Sequence, residues 1–225
     1  MPRKKKKILS IVIHKKHLIL CEGMDAWKFL VRYLNSPALQ ENPFFSEDIE
    51  ALDFGGNEDL SAYLAALKGI EGYSDLVSLL VIRDAELDVQ KAARQIQNAL
   101  RTNDLEVPAA QGQWTEGIPK TCFLLFPALG TEERSGTLED LCVTILDNTA
   151  AETPIEEIDT FVKHLEQDRE QTFSHRHKTR LHTYFSVNNT FVGMKAGEAA
   201  DAGAFDWSHP NLEPLKTCLS EMEGG

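Results

Sequence analysis

The chain alternates between short, wholly apolar runs and longer segments in which apolar residues return every third or fourth position. Residues 17–21 form the first such run, and it stops abruptly at Glu22-Gly23. A continuous apolar run closed by a glycine reads as a buried strand followed by a tight turn. From Met24 onward, Trp27, Leu30, Val31 and Leu34 fall on one face of a 3.6-residue period, which predicts an amphipathic helix. The same plan recurs twice. Residues 49–54 lead through Gly55-Gly56-Asn57 into a helix with Leu60, Tyr63, Leu64 and Leu67 on one face. Residues 76–82 are the most strand-like run of all, and after Arg83-Asp84-Ala85-Glu86 comes a helix that turns Val89, Ala92, Ala93, Ile96 and Leu100 inward.

Three successive strand–turn–helix units with strands apolar on both sides predict an α/β fold: a mostly parallel sheet with helices on both faces. A further strand is expected at 121–126, after a polar, Gly- and Pro-containing loop over 103–119. Beyond Gly136 the period is helical throughout. Leu138, Leu141, Cys142 and Ile145 mark one helix, and Ile155, Ile158, Phe161, Val162 and Leu165 a second. A third is expected around 175–185, and a last after Pro210 with Leu212, Leu215, Leu219 and Met222 together. The expected organisation is a basic segment at 1–16, an α/β domain at 17–150, and a C-terminal helical extension at 151–225 packed on it.

Composition narrows the class. The 225 residues are 42% apolar and 26% charged, and 23 Lys and Arg against 35 Asp and Glu give a net charge of −12. No apolar stretch approaches the about 18–20 residues that cross a bilayer, so no membrane span is expected. The basic start is followed by too short an apolar run to read as a secretion signal. Cys21, Cys122, Cys142 and Cys218 are spread singly, which points to reduced core thiols in a cytoplasmic protein and away from a zinc cluster. The acidity argues against holding nucleic acid by bulk charge.

The acidic residues are not evenly spread. Ligands of an open parallel sheet bind outside the carboxyl ends of its strands. The first strand delivers Glu22 there, with Asp25 three residues on, the second Gly55-Gly56-Asn57, and the third Asp84 and Glu86. Each also suits a plainer role: Glu22 in a solvated turn, Asp84 and Glu86 at a helix N-terminus, the glycines with Asn57 as a turn and cap. Gathered on one rim, the carboxylates repel unless a cation neutralises them, and oxygen donors of this kind suit Mg2+ or Mn2+.

A strand ending in Glu22-Gly23 with Asp25, and a later strand ending in Asp84-Ala85-Glu86 one strand–helix unit further on, resembles the Toprim domain. That domain is the metal-dependent module of topoisomerases, bacterial primases and OLD-family nucleases. The chain looks most similar to small stand-alone Toprim-like proteins related to the OLD nucleases. The likeness extends from about His17 to the end, including Ser135-Gly136-Thr137-Leu138-Glu139-Asp140 and the segment from Asp206 to Pro210. It implies a Toprim-like, Rossmann-like sheet. Thr137 and Glu139 match the family's hydroxyl residue two positions before a Glu, and Lys178 is the candidate for its later lysine. The family has Asp-x-Asp where this chain has Asp84-x-Glu86, so one arm is a methylene longer, or Asp88 takes over as ligand.

The resemblance implies metal-dependent phosphodiester hydrolysis, as an OLD-like DNA endonuclease that works in phage defence with a separate ATPase. Glu22, Asp25, Asp84, Glu86 and Glu139 would be the metal ligands, and Lys178 would offset charge on the scissile phosphate. Two other readings stay open. The chain could be a non-catalytic or regulatory partner protein with a weak divalent site, or a phosphohydrolase acting on a small molecule. A basic groove beside the acidic rim points to a polymer such as DNA, and a closed pocket to a small substrate. His175, His177 and His182 stand among Lys178 and Arg180, which favours phosphate contact or simple solvation over metal binding. Phe205 and Trp207 read as packing anchors for the last helix.

Overall fold

The apolar runs pair into one sheet. In the computed structural model, which describes residues 12–56, 59–130, 132–146, 155–170, 172–173 and 175–223, the strands are β1 (His17–Cys21), β2 (Ile49–Asp53), β3 (Ser78–Asp84) and β4 (Lys120–Phe126). Their order is β2-β1-β3-β4, and every neighbouring pair is parallel. The α/β fold and helix-covered parallel sheet expected from the periodicity are therefore present. The basic run Lys4 to Lys7, Asn57 and the expected boundary at 150 lie outside the described residues.

Side-chain alternation divides the sheet into two faces. Leu18, Leu20, Leu79, Val81, Phe123 and Leu125 face α3 (Leu60–Leu67) and α4 (Val89–Thr102), as part of one core. Ile19, Cys21, Leu80, Ile82, Cys122 and Leu124 face α1 (Met24–Leu34), α2 (Phe44–Glu47) and the later helices, as part of the other. Those later helices are α5 (Leu138–Thr144), α6 (Ile155–Asp168), α7 (Arg176–Val187), α8 (Ala196–Asp201) and α9 (Glu213–Glu223). Among the described residues no helix is long and apolar enough to cross a membrane.

The C-terminal helices complete the second face. Phe29 of α1 stands at the centre of an aromatic group with Phe126, Phe205 and Trp207, at centroid distances of 6.2, 5.9 and 5.1 Å. Ring pairs in such tilted and edge-on arrangements add about 0.5–1.5 kcal/mol each beyond the area they bury. Phe205 and Trp207 were expected to anchor the last helix; the rings they meet belong to α1, at Phe29 and Tyr33. The backbone N–H of Asp206 donates to the carbonyl of Ile145 at 2.8 Å, tying this segment to the end of α5. Cys218 of α9 lies against β4, its Sγ 3.7 Å from that of Cys122.

Three features differ from the periodic reading. The third strand begins at Ser78 and continues through Arg83 to Asp84, where the charges suggested a turn. Phe161, assigned an inward position, is 53% exposed, and Ile158 and Val162 carry the burial of α6. The loop after α4 runs beside β4, with the N–H groups of Gly112 and Thr115 donating to the carbonyls of Phe123 and Thr121, both at 3.0 Å. It thereby covers backbone acceptors at the edge of the sheet.

Candidate metal centre

A chain that runs from β1 out to β2, then returns past β1 to β3 and on to β4, reverses direction between β1 and β3. In doubly wound sheets, the crevice at the carboxyl ends of the two strands flanking such a reversal is the ligand site. Glu22 follows β1 there and Asp84 ends β3. Strand pairing sets their level, because Cys21 pairs with Ile82 and the N–H of Glu22 donates to the carbonyl of Ile82 at 3.1 Å.

The turn after β1 is built on Gly23, whose φ of +89° suits a residue without a Cβ. Asp53, at the end of β2, accepts from the N–H groups of Gly23 at 2.9 Å and Gly55 at 2.7 Å, so one carboxylate ties the first two strand–helix turns together. After β3, the N–H of Ala85 donates to the carbonyl of Phe126 at 3.0 Å. Glu86 and Gly136 then exchange two backbone hydrogen bonds of 2.8 Å. Glu86 holds φ at +55°, a left-handed conformation costly for a residue with a side chain. The paired bonds to Gly136 hold it there and bring the segment 135–140 beside the end of β3.

The carboxylates divide between the two faces of the sheet. Arg83 follows Leu79 and Val81 toward α3 and α4, while Asp84 follows Leu80 and Ile82 toward α1 and α5. Arg83 is 2% exposed, and its Nε lies 3.3 Å from Oε2 of Glu22 while Nη1 donates to Gln95 at 3.2 Å. Burial lowers its pKa, and the negative charges of Glu22, Asp84 and Glu86 act the other way. Glu22 therefore has a cationic neighbour on the α3–α4 side. The sequence reading gives Arg83 no role; the signal available was a charged residue directly after an apolar run.

Asp84 occupies the opposite side. Its Oδ1 accepts from the N–H of Leu138, the first residue of α5, at 2.8 Å. Its carboxyl is pushed up to about 8, first by burial and then by the charges of Glu139, Glu22 and Glu86, against the lowering effect of the Leu138 hydrogen bond. The thiol of Cys142 is raised by burial and further by Glu139, Asp25, Asp84 and Asp140. These mutual effects mark one negative field shared by acidic residues from α1, the end of β3 and α5.

Each remaining expected residue has a definite place. Glu139 is in the first turn of α5, with its Oε1 3.7 Å from Nζ of Lys178 on α7. The two residues paired through the family resemblance are thus neighbours. Thr137 is the buried N-cap of α5, and its N–H donates to Asp140 Oδ2 at 3.0 Å. Asp25 turns toward α8 and accepts from the N–H of Gly197 at 3.2 Å. Asp88 is the N-cap of α4, accepting from the N–H of Lys91 at 2.8 Å, a sufficient structural role for it.

Among the described residues, no group of three or more His, Cys, Asp or Glu side chains is already arranged to hold a metal ion. The reason lies in the contacts above: Glu22 lies against Arg83, Asp84 against a helix N–H, Glu139 near Lys178 and Asp25 against α8. In kind, the donors are all hard carboxylate oxygens, which suit Mg2+ or Mn2+. A cation among them would offset both the burial and the neighbouring charges that raise the Asp84 carboxyl.

Beside this rim opens a cleft of about 850 Å3. Its lining includes Glu86, Gly136, Thr137 and Asp140, with Asp159 and Lys163 from α6 and Arg176 and Arg180 from α7. Arg180 lies between carboxylates, 2.7 Å from Asp159 and 3.9 Å from Asp140.

The family model for protein of unknown function (DUF3226) matches residues 16–223, and the chain belongs to that family. No curated protein and no solved structure matches the chain.

Proposed function

We propose that this DUF3226-family protein hydrolyses phosphodiester bonds with a divalent cation, in the manner of an OLD-like DNA endonuclease, at the rim formed by Glu22, Asp84, Glu86 and Glu139. The observation that carries the reading is Asp84. It is a carboxylate at the end of a central strand, beside the topological reversal, whose pKa is raised first by burial and then by three other carboxylates. A protein has no stability reason to gather such charges. A cation-dependent site does.

Asp84 and Glu86 would be the principal ligands, Glu139 would complete the site from α5, and Glu22 would join from β1 by sharing its charge between Arg83 and the cation. Mg2+ or Mn2+ held there would supply an activated water and neutralise charge on the phosphoryl oxygens. The chain's own contribution is positioning. The two hydrogen bonds between Glu86 and Gly136 set the height of the Glu86 arm, and the Leu138 N–H orients the Asp84 carboxylate. Lys178, 52% exposed and 3.7 Å from Glu139, would swing its ammonium onto the scissile phosphate once Glu139 binds the cation.

The test is incubation of the purified protein with plasmid, linear and single-stranded DNA and with RNA, in Mg2+ or Mn2+, beside Asp84→Asn and Glu86→Gln. Metal-dependent cleavage that both substitutions abolish supports the reading. Absence of cleavage on every substrate with either metal overturns it. One observation favours a second reading, a regulatory Toprim-like partner with a weak divalent site: Glu22 and Glu139 already have cationic neighbours within the chain. Calorimetric Mn2+ binding lost in Asp84→Asn, with no cleavage by the wild type, would select it.

A further inference from the structure

We propose that a small pocket on the α3–α4 face of the sheet binds a phosphate group, with the buried Arg83 as its floor. The pocket stands apart from the cleft beside the rim and does not depend on the hydrolytic reading.

Three elements build it. Leu60 and Ser61 begin α3, Gln95, Asn98 and Thr102 lie along α4, and Arg83 comes from the end of β3. Intervals of three and four residues put Gln95, Asn98 and Thr102 on one face of α4. The two helical walls are tied by the buried Asn103, whose Nδ2 donates to the carbonyls of Ser61 at 3.1 Å and Ala99 at 2.8 Å.

What these walls offer is donors. Oε1 of Gln95 accepts from Nη1 of Arg83 at 3.2 Å, and Oδ1 of Asn98 accepts from Nη1 of Arg101 at 2.8 Å. The oxygen of each carboxamide is thus turned to an arginine, which leaves its NH2 group as the end that serves a ligand. Oγ of Ser61 lies 3.3 Å from the donating Nδ2 of Asn103, so its own proton is available to a ligand. The first turn of α3 adds the positive end of a helix dipole, and Asp59 at its N-cap makes no side-chain cap, its Oδ2 being drawn back to the N–H of Gly56 at 3.2 Å. No carboxylate is among the described residues that line the pocket, although the chain holds 35 Asp and Glu against 23 Lys and Arg.

Arg83 supplies the charge. Its Nε meets Glu22 and the carbonyl of Asp84, both at 3.3 Å, while Nη1 reaches Gln95 on the pocket side. A guanidinium spreads its charge over a planar fork that serves acceptors on different edges. Because Glu22 already shares that charge, the expected affinity is modest, with a dissociation constant of about 1 mM.

Size and shape select the ligand. The pocket holds about 240 Å3, less than the about 300 Å3 at which sites for compact organic ligands begin. A tetrahedral oxyanion fits, either free or as the end of a phosphomonoester whose remainder stays in solvent. Donors on three sides suit its several oxygens better than the two oxygens of a planar carboxylate.

The experiment is isothermal titration calorimetry in EDTA, at an ionic strength held constant with chloride, using inorganic phosphate, glycerol phosphate and acetate. One site of about 1 mM for a phosphate is expected, with acetate at least about tenfold weaker. The tighter of the two phosphates assigns the source, a free ion or a phosphomonoester end. Gln95→Glu and Asn98→Asp each keep the oxygen that accepts from an arginine while putting a negative charge in place of the donor. Each is expected to weaken phosphate binding about tenfold or more, by like-charge repulsion, with a thermal midpoint in chloride no lower than that of the wild type. Lys216→Ala, on α9 at the opposite face of the sheet, is the control and is expected to leave binding unchanged. No saturable binding of either phosphate up to about 20 mM, acetate bound as tightly as phosphate, or wild-type affinity in both folded carboxylate variants would each overturn the proposal.

Discussion

Replacing Asp84 with Asn removes the charge at the centre of the rim while keeping its shape and an acceptor for the Leu138 N–H. The carboxyl of Asp84 is raised from an ordinary 3.8 to about 8, by burial first and then by Glu139, Glu22 and Glu86. An acid whose pKa is higher folded than unfolded binds more protons in the folded state between those two values. Stability therefore falls as the pH rises through that window, and the full cost applies above it. A separation of about four units corresponds to about 5–6 kcal/mol at 1.36 kcal/mol per unit, which is a ceiling. Relaxation and water entry around a buried charge reduce such penalties, and about 2–4 kcal/mol is expected in practice. Asp84→Asn should then be more stable than the wild type by that amount near pH 8.5, with the difference shrinking to nothing near pH 4. Urea denaturation followed by circular dichroism, in EDTA at several pH values across the window, measures it. Repeating the series in Mg2+ should stabilise the wild type and leave the variant unmoved, closing the gap by mass action. A variant less stable than the wild type at pH 8.5, or a gap independent of pH, would show that Asp84 is not held against its own charge. The rim would then have no electrostatic demand for a cation.

Other substitutions separate structure from chemistry. Asp88→Ala removes the N-cap of α4 and should cost about 0.5–2 kcal/mol in urea while leaving the Mg2+ response of the midpoint intact; loss of that response would make Asp88 a ligand. Arg83→Met leaves the largely buried Glu22 carboxylate without its guanidinium and should cost about 3–5 kcal/mol, much of it recovered in the double variant with Glu22→Gln. A single-variant loss below about 1 kcal/mol would contradict the role given to that ion pair. Gly136→Ala places a Cβ 2.7 Å from Asp140 Oδ2 and 3.1 Å from Pro127 at a φ of +137°, and should lower stability by about 1–3 kcal/mol in thermal unfolding. An unchanged midpoint would mean that segment 135–140 is free to shift.

The residues that line the interior were legible because their spacing leaves no other placement. Residues 17–21 cannot expose one side without stranding apolar side chains in water, and all five are buried. The faces of α3 and α9 follow their three-and-four periods, and Leu60, Tyr63, Leu64 and Leu67 are indeed interior. Phe161 was misjudged for the converse reason, since a single apolar residue near the edge of a stripe costs little to expose. The helix α8 was not anticipated. Its six residues are mostly small and acidic, and it is held by packing on α1 and by Asp25, which lies 172 positions away in sequence.

The candidate site shows the same division. That Glu22, Asp84 and Glu86 stand at strand ends follows from the local pattern alone, since Glu22 comes directly after one apolar run and Asp84 and Glu86 follow another by two and four residues. That Arg83 lies buried against Glu22, that Asp84 faces α5 and Glu139, and that Arg180 of α7 meets Asp140 of α5 and Asp159 of α6 all depend on how distant segments pack. Local periodicity determines which residues leave water, because burial is decided within a turn of helix or a pair of strand positions. Which charges meet is decided by the pairing of segments tens of residues apart, and only the assembled sheet contains that information.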